Sequence, residues 1–164
     1  MKTKLTPIHG NKINGFTLIE LMITLAIAAI LLSIAAPSFS TMIQNNRITT
    51  QANQFIAAMT YARSEAVKRG VAIDITATSS DVNWDNGWTI AVSGGGATLK
   101  VFSALEGTST LISATDISPF QYLPNGRSST TETFNLCDGR TGETGRQLSI
   151  SSTGRISVSD LNCA

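Results

Sequence analysis

The sequence predicts an α+β protein in which a long kinked N-terminal helix packs, by its second half, against a C-terminal antiparallel β-sheet head. Three observations carry this. Residues Phe16 to Ala36 form one apolar run, FTLIELMITLAIAAILLSIAA. A helical apolar stripe follows and stops at Lys68-Arg69-Gly70. From Val71 onward the apolar residues alternate with polar ones, the period of a strand rather than a helix.

The apolar run comes first. At 1.5 Å per residue a helix over residues 16–36 reaches about 30 Å, the thickness of a bilayer's hydrocarbon core. Lys2, Lys4 and Lys12 precede it, whereas beyond residue 15 there are 9 basic and 11 acidic side chains, a formal charge of −2. Two ordinary readings compete. A secretory signal peptide also begins with lysines, and Ser33-Ile34-Ala35 offers small residues for cleavage. Its apolar core, however, is usually about 7–15 residues long and free of carboxylates. A plain signal anchor explains the length and leaves Glu20 unexplained. An ionised carboxylate well inside a bilayer costs about 2.5–3.5 kcal/mol on insertion scales, so Glu20 implies a partner.

Pro37 removes one helical hydrogen bond and is expected to bend the helix there. Beyond it, Ile48, Ala52, Phe55, Met59, Ala62 and Ala66 recur at spacings of four and three, a stripe suited to packing on one face. Ile56 and Val67 widen the stripe, and Gln44, Asn45, Arg47, Gln51, Asn53 and Glu65 are left for other faces. Lys68 and Arg69 place cations at the negative end of the helix dipole, and Gly70 is a stop signal. One helix over residues 16–69 spans about 80 Å.

Short β-prone runs fill the rest: Val71–Thr76, Thr89–Val92, Leu99–Phe102, Thr110–Thr115, Phe120–Leu123, Thr131–Cys137, Gln147–Ser151 and Ile156–Ser159. Ser152-Thr153-Gly154-Arg155 reads as a hairpin turn that sets Leu148 and Ile150 beside Ile156 and Val158 on one face. The plan is therefore a basic segment over 1–15, a membrane helix over 16–36, its amphipathic continuation over 37–69 and a β-rich head over 70–164.

Catalytic chemistry finds little material. The one histidine is His9, and both cysteines fall in the last 28 residues, so a Cys/His metal cluster cannot be assembled. Asp138 and Glu143 sit in a Gly-rich turn, where solvated carboxylates are the default. Gly94-Gly95-Gly96 lacks the strand-to-helix context of a phosphate loop. The sequence calls for no enzyme, cofactor or metal.

The segment Gly15-Phe16-Thr17-Leu18-Ile19-Glu20 resembles the processing site of the type IV pilin and type II secretion pseudopilin superfamily, in which a short basic leader ends in glycine and a glutamate stands fifth after the cut. The resemblance implies cleavage between Gly15 and Phe16 by prepilin peptidase, N-methylation of Phe16, and pairing of Glu20 with the new amine of a neighbouring subunit. It also implies a single-pass protein of the bacterial inner membrane, its head in the periplasm, that passes into a pilus at the cell surface. Tyr61-Ala62-Arg63-Ser64-Glu65-Ala66-Val67-Lys68-Arg69-Gly70, Asn83-Trp84-Asp85-Asn86-Gly87-Trp88, Gly126-Arg127 and Gly154-Arg155 are similar to the minor pilins of the FimT/FimU family and to pseudopilin H. Small residues at 62 and 66 also simply permit close approach of a sheet.

In a head exported beyond the inner membrane Cys137 and Cys163 can oxidise. A bridge closing about 26 residues stabilises by about 3.5 kcal/mol in the chain-entropy model, and would pin the C-terminal strand beside the strand that ends at Cys137. A redox pair is the alternative, though it normally has C-x-x-C spacing.

Three functions follow from the resemblance: a structural minor pilin that primes assembly or sits at the pilus tip, a DNA-binding minor pilin for natural transformation, and a minor pseudopilin of type II secretion. Partners are other pilins, the peptidase/methyltransferase and, in the second reading, DNA. Arg140, Arg146 and Arg155 are the DNA-binding candidates, in a region similar to the G-R-x-R motif of some FimT proteins. Leu148 stands where the second arginine would be, and Glu132, Asp138, Glu143 and Asp160 balance Arg127, Arg140, Arg146 and Arg155, so the surplus that binds phosphates is missing.

Overall fold

The computed structural model describes residues 15–79 and 82–163. The leader lysines and His9 lie outside the described residues.

Helix α1 runs from Leu18 to Arg69 and includes Pro37. The chain divides into two compact units, residues 1–40 and 41–164, and α1 contributes to both. In the first, the helix leaves its apolar side chains uncovered, among them Leu21, Ile23, Leu25, Ile27 and Leu31. Length and composition suffice to cross a membrane.

The second unit has its own core. Of the helix residues, Ile48, Ala52, Phe55, Met59, Ala62 and Ala66 are buried, the stripe the spacing predicts. The stripe widens on the side opposite to the expected one. Ala58, Gln51 and Glu65 are buried with it, whereas Val67 is 55% exposed and Ile56 only partly covered. Positions 51, 58 and 65 recur every seven residues, two helical turns, and so share one flank of the stripe. Two polar residues can occupy that flank because each has a partner. Gln51 Nε2 donates to the Glu106 carbonyl at 2.9 Å, and Arg69 Nε donates to Glu65 Oε2 at 2.5 Å.

Eight strands follow: β1 (Ile73–Ala77), β2 (Trp88–Val92), β3 (Thr98–Phe102), β4 (Thr110–Ser113), β5 (Phe120–Tyr122), β6 (Glu132–Cys137), β7 (Thr144–Ile150) and β8 (Ile156–Asn162). They form two four-stranded sheets, ordered β3-β2-β1-β5 and β4-β6-β7-β8, with every pairing antiparallel. β6 shows the half-buried alternation plainly, with Glu132, Phe134 and Leu136 turned inward. Glu132 is accommodated because its carboxylate accepts from the Thr133 and Ala114 amides at 2.7 and 3.2 Å and from the Thr115 hydroxyl.

Both sheets and the helix meet in one cluster. The Phe55 ring lies 4.7, 5.2 and 6.2 Å from those of Phe134, Trp88 and Trp84. The W-x-x-x-W segment is thus core, its two indoles delivered by one tight turn. Gly87 at φ 94° is required there, because a Cβ would come within 2.3 Å of the Phe102 carbonyl oxygen.

Candidate functional site: the N-terminal motif and the C-terminal arginines

Gly15 and Phe16 lie just ahead of α1, and Phe16 is 88% exposed. A Cβ built on Gly15 meets nothing within 4 Å. No atom among the described residues crowds this position.

Thr17 is the N-cap of α1 and Glu20 its N3 residue. The Glu20 amide donates to Thr17 Oγ1 at 3.2 Å, and the Thr17 amide and hydroxyl both donate to Glu20 Oε2 at 2.8 Å. This is a capping box, in which two orphan donors of the helix start satisfy each other's side chains. The sequence signal, Thr17-Leu18-Ile19-Glu20, is the T-x-x-E pattern of such a box, and it passes unnoticed when Glu20 is weighed only as a charge in an apolar run. Both Thr17 donors use Oε2. No hydrogen bond to Oε1 occurs among the described residues, so that oxygen is available to a donor from another chain.

In the second unit Cys137 and Cys163 form a disulfide, with Cα atoms 5.9 Å apart across a separation of 26 residues. Its placement corrects one expectation. β8 does not lie beside β6, because β7 runs between them, and the bridge crosses β7 at Gly145. A Cβ on Gly145 would come within 2.5 Å of Cys163 Sγ, 3.1 Å of Cys137 Sγ and 2.4 Å of the Leu136 carbonyl oxygen. The glycine of Gly145-Arg146 is thus explained by the crossing.

The candidate DNA-binding arginines occupy different surroundings. Arg140 Nη2 lies 2.6 Å from Asp138 Oδ2 and 2.8 Å from Asn45 Oδ1, and its Nη1 is 3.7 Å from Glu143. Hydrogen bonding from Arg140 holds the Asp138 carboxyl below its usual range. Arg146 Nη1 meets Asp160 Oδ1 at 2.7 Å. Arg155 is exposed and makes no ion pair among the described residues. The turn before it packs against the Gly126-Arg127 turn through Arg63, whose Nε and Nη2 donate to the carbonyls of Gly126 and Thr153 at 2.7 and 3.1 Å. Arg63 is thereby given a structural task that its place in a helical motif did not reveal. No cluster of metal-binding side chains occurs among the described residues.

Comparisons with known proteins place these features. The family model "Type II transport protein GspH" matches residues 51–154, and the model "Prokaryotic N-terminal methylation motif" matches residues 10–36. Two fimbrial proteins of Pseudomonas aeruginosa are each 40% identical over 75 residues, 46% of this chain and 48% of theirs. The chain thus spans about half the length of the curated relatives it matches. Crystal structures of the P. aeruginosa type IV minor pilin FimU superpose in two crystal forms. One is 31% identical with a TM-score of 0.65, covering 71% of this chain and 90% of that one. The other is 32% identical with a TM-score of 0.61, covering 68% and 91%. The chain belongs to the GspH family of proteins with a prepilin-type methylation motif, as a type IV minor pilin of the FimT/FimU kind.

Proposed function

We propose that the protein is a structural subunit of the type IV pilus, without enzymatic activity, which primes assembly or sits at the tip. The observation that carries this reading is the state of the N-terminus: an uncovered apolar helix whose one carboxylate is oriented by Thr17 through Oε2 and keeps Oε1 open. A carboxylate so placed is costly in an apolar surrounding until a cation meets it. Cleavage between Gly15 and Phe16 would create that cation, the amine of Phe16, on each subunit. Glu20 of one chain and the amine of the next then neutralise each other inside the filament, while the helix keeps its cap. Before assembly the same helix anchors the chain in the inner membrane with the head on the periplasmic side, where the disulfide forms.

Glu20→Ala is the test. The head of the variant is expected to fold and oxidise normally, since Glu20 belongs to the other compact unit, while its recovery in sheared pili falls. Recovery equal to that of the native chain would remove Glu20 from the assembly role. N-terminal sequencing of the native chain from pili is expected to begin at Phe16; a start near Ala36 would mean a conventional signal peptide.

The match to the GspH family favours one second reading, a minor pseudopilin of type II secretion. Deleting the gene separates the two, with loss of pili pointing to the first and loss of secreted enzymes to the second. The DNA-uptake reading, with Arg140, Arg146 and Arg155 as contacts, is weakened by the carboxylates bound to the first two. Natural transformation in the same deletion strain tests it.

A further inference from the structure

The two sheets end in four edges, β3 and β5 in one and β4 and β8 in the other. Three are closed by devices that prevent stray strand pairing. β3 carries Lys100 at its middle, with Nζ 4.8 Å from the Phe102 ring centre, and its register against β2 shifts at Ile90/Ala91. β5 is three residues long, and Tyr122 is bridged by Ser128 on the side away from β1. β4 is covered by residues 82–84: Asn83 bridges Ile112, the Trp84 amide donates to the Leu111 carbonyl at 2.8 Å and the Ser113 amide to the Val82 carbonyl at 2.9 Å.

β8 has neither cover nor a shifted register, and its one charge, Asp160, is held by Arg146 at 2.7 Å. It pairs with β7 through all seven residues in unbroken register and contains no proline or lysine. The hairpin closes with the Ser151 amide on the Arg155 carbonyl at 2.9 Å, and at its far end the Cys163 amide donates to the Glu143 carbonyl at 3.1 Å. Hydrogen-bonded and non-bonded pairs alternate in an antiparallel ladder. Hence Ser157, Ser159 and Leu161 turn their main-chain groups toward β7, and Ile156, Val158, Asp160 and Asn162 turn theirs outward. No hydrogen bond to those outward groups occurs among the described residues. The apolar inner face is also unfinished at this edge. Val158 stands opposite buried Leu148 yet is 45% exposed.

We propose that β8 is a docking edge to which an extended segment of a different pilin subunit adds as a further strand of the β4-β6-β7-β8 sheet. This rests on reading the chain as a filament subunit. The edge itself specifies the occupant. Donors and acceptors at two-residue intervals over about 23 Å match only an extended backbone, and Val158 beside half-covered Ile156 calls for apolar side chains at alternate positions.

The test compares Val158→Pro, which deletes one outward amide and leaves the β7 ladder intact, with Val158→Lys, which keeps every amide and charges the edge. Each variant is measured in sheared pili relative to membranes, with thiol labelling to report whether Cys137–Cys163 has formed. Both are expected to be oxidised and to reach native levels in membranes, but to be recovered in pili less than the native chain, Val158→Pro by about three- to tenfold, the weight of one main-chain hydrogen bond, and Val158→Lys because a charge is set against the incoming strand. If Val158→Pro fails to accumulate, Val158→Lys alone decides. Native recovery of Val158→Lys overturns the proposal. A photo-cross-linking residue at position 159 is expected to capture the head of another pilin; capture of a second copy of this chain, or of no pilin, overturns the assignment of the partner. Absence of the unmodified chain from pili would instead overturn the filament reading.

Discussion

The two halves of α1 are one continuous helix with opposite solutions for apolar surface. In residues 18–40 the apolar side chains surround the helix and none is covered. In residues 41–69 most of them gather in one stripe, Ile48 to Ala66, which is buried, while Met42, Ile43 and Val67 stay exposed. What differs is where each finds a place for its apolar atoms: the second within its own chain, the first only in a membrane or among other subunits. One half therefore serves folding and the other assembly, and substitutions in the two are expected to fail in different assays.

The largest effect is expected at the processing site. Gly15→Val leaves the fold untouched, since space around Gly15 is open, but is expected to abolish leader removal and entry into pili. The measurement is the size of the chain in membranes; normal cleavage would mean that the peptidase does not read this residue.

Phe55→Ala sharpens the comparison from the other half. Phe55 is 1% exposed and contacts three aromatic rings, Trp88 and Phe134 on the two sheets and Trp84 between β1 and β2. Its truncation is expected to destabilise the head by about 3–5 kcal/mol. Chemical denaturation checks this, and the proposed cleavage after Gly15 is expected to be unaffected because the motif belongs to the other unit.

Replacing Cys137 and Cys163 together by serine is expected to cost about 3.5 kcal/mol, seen as a lower denaturation midpoint. Gly145→Ala in the oxidised protein tests the crossing more finely. It is expected to destabilise as well, and to do so less once both cysteines are replaced.

The smallest effect is a pH dependence. Arg69 holds the Glu65 carboxyl below its ordinary value of 4.5, and Arg140 holds Asp138 below 3.8. Depressed carboxyl values add stability that is present at neutral pH and is lost as pH falls through the carboxylate range toward the folded values. Acid titration of head stability is expected to be shallower in Glu65→Gln than in the native protein. An unchanged profile would show that the pair contributes nothing.

Much of this was legible in the residues alone. The apolar run, the stripe from Ile48 to Ala66 and each of the eight strands follow from periodicity, because helix and strand impose spacings of 3.6 and 2 on any face that must be buried. The processing motif is legible for a different reason. In the proposed function an enzyme and a neighbouring subunit would read it as a short local segment, so its meaning would not depend on the fold.

Tertiary structure alone decided the rest. Local spacing cannot say which flank of a helix a sheet will cover, so Gln51 and Glu65 went inside and Val67 stayed out according to where Glu106 and Arg69 offered partners. Nor does it give strand order. That β7 lies between β6 and β8, that the disulfide therefore passes over Gly145, and that β8 is left as the open edge all depend on contacts between residues far apart in the chain. Charge divides in the same way: the sequence shows that carboxylates balance Arg140, Arg146 and Arg155 in number, and folding decides the pairs, with Asp138 against the first, Asp160 against the second and the third left in solvent.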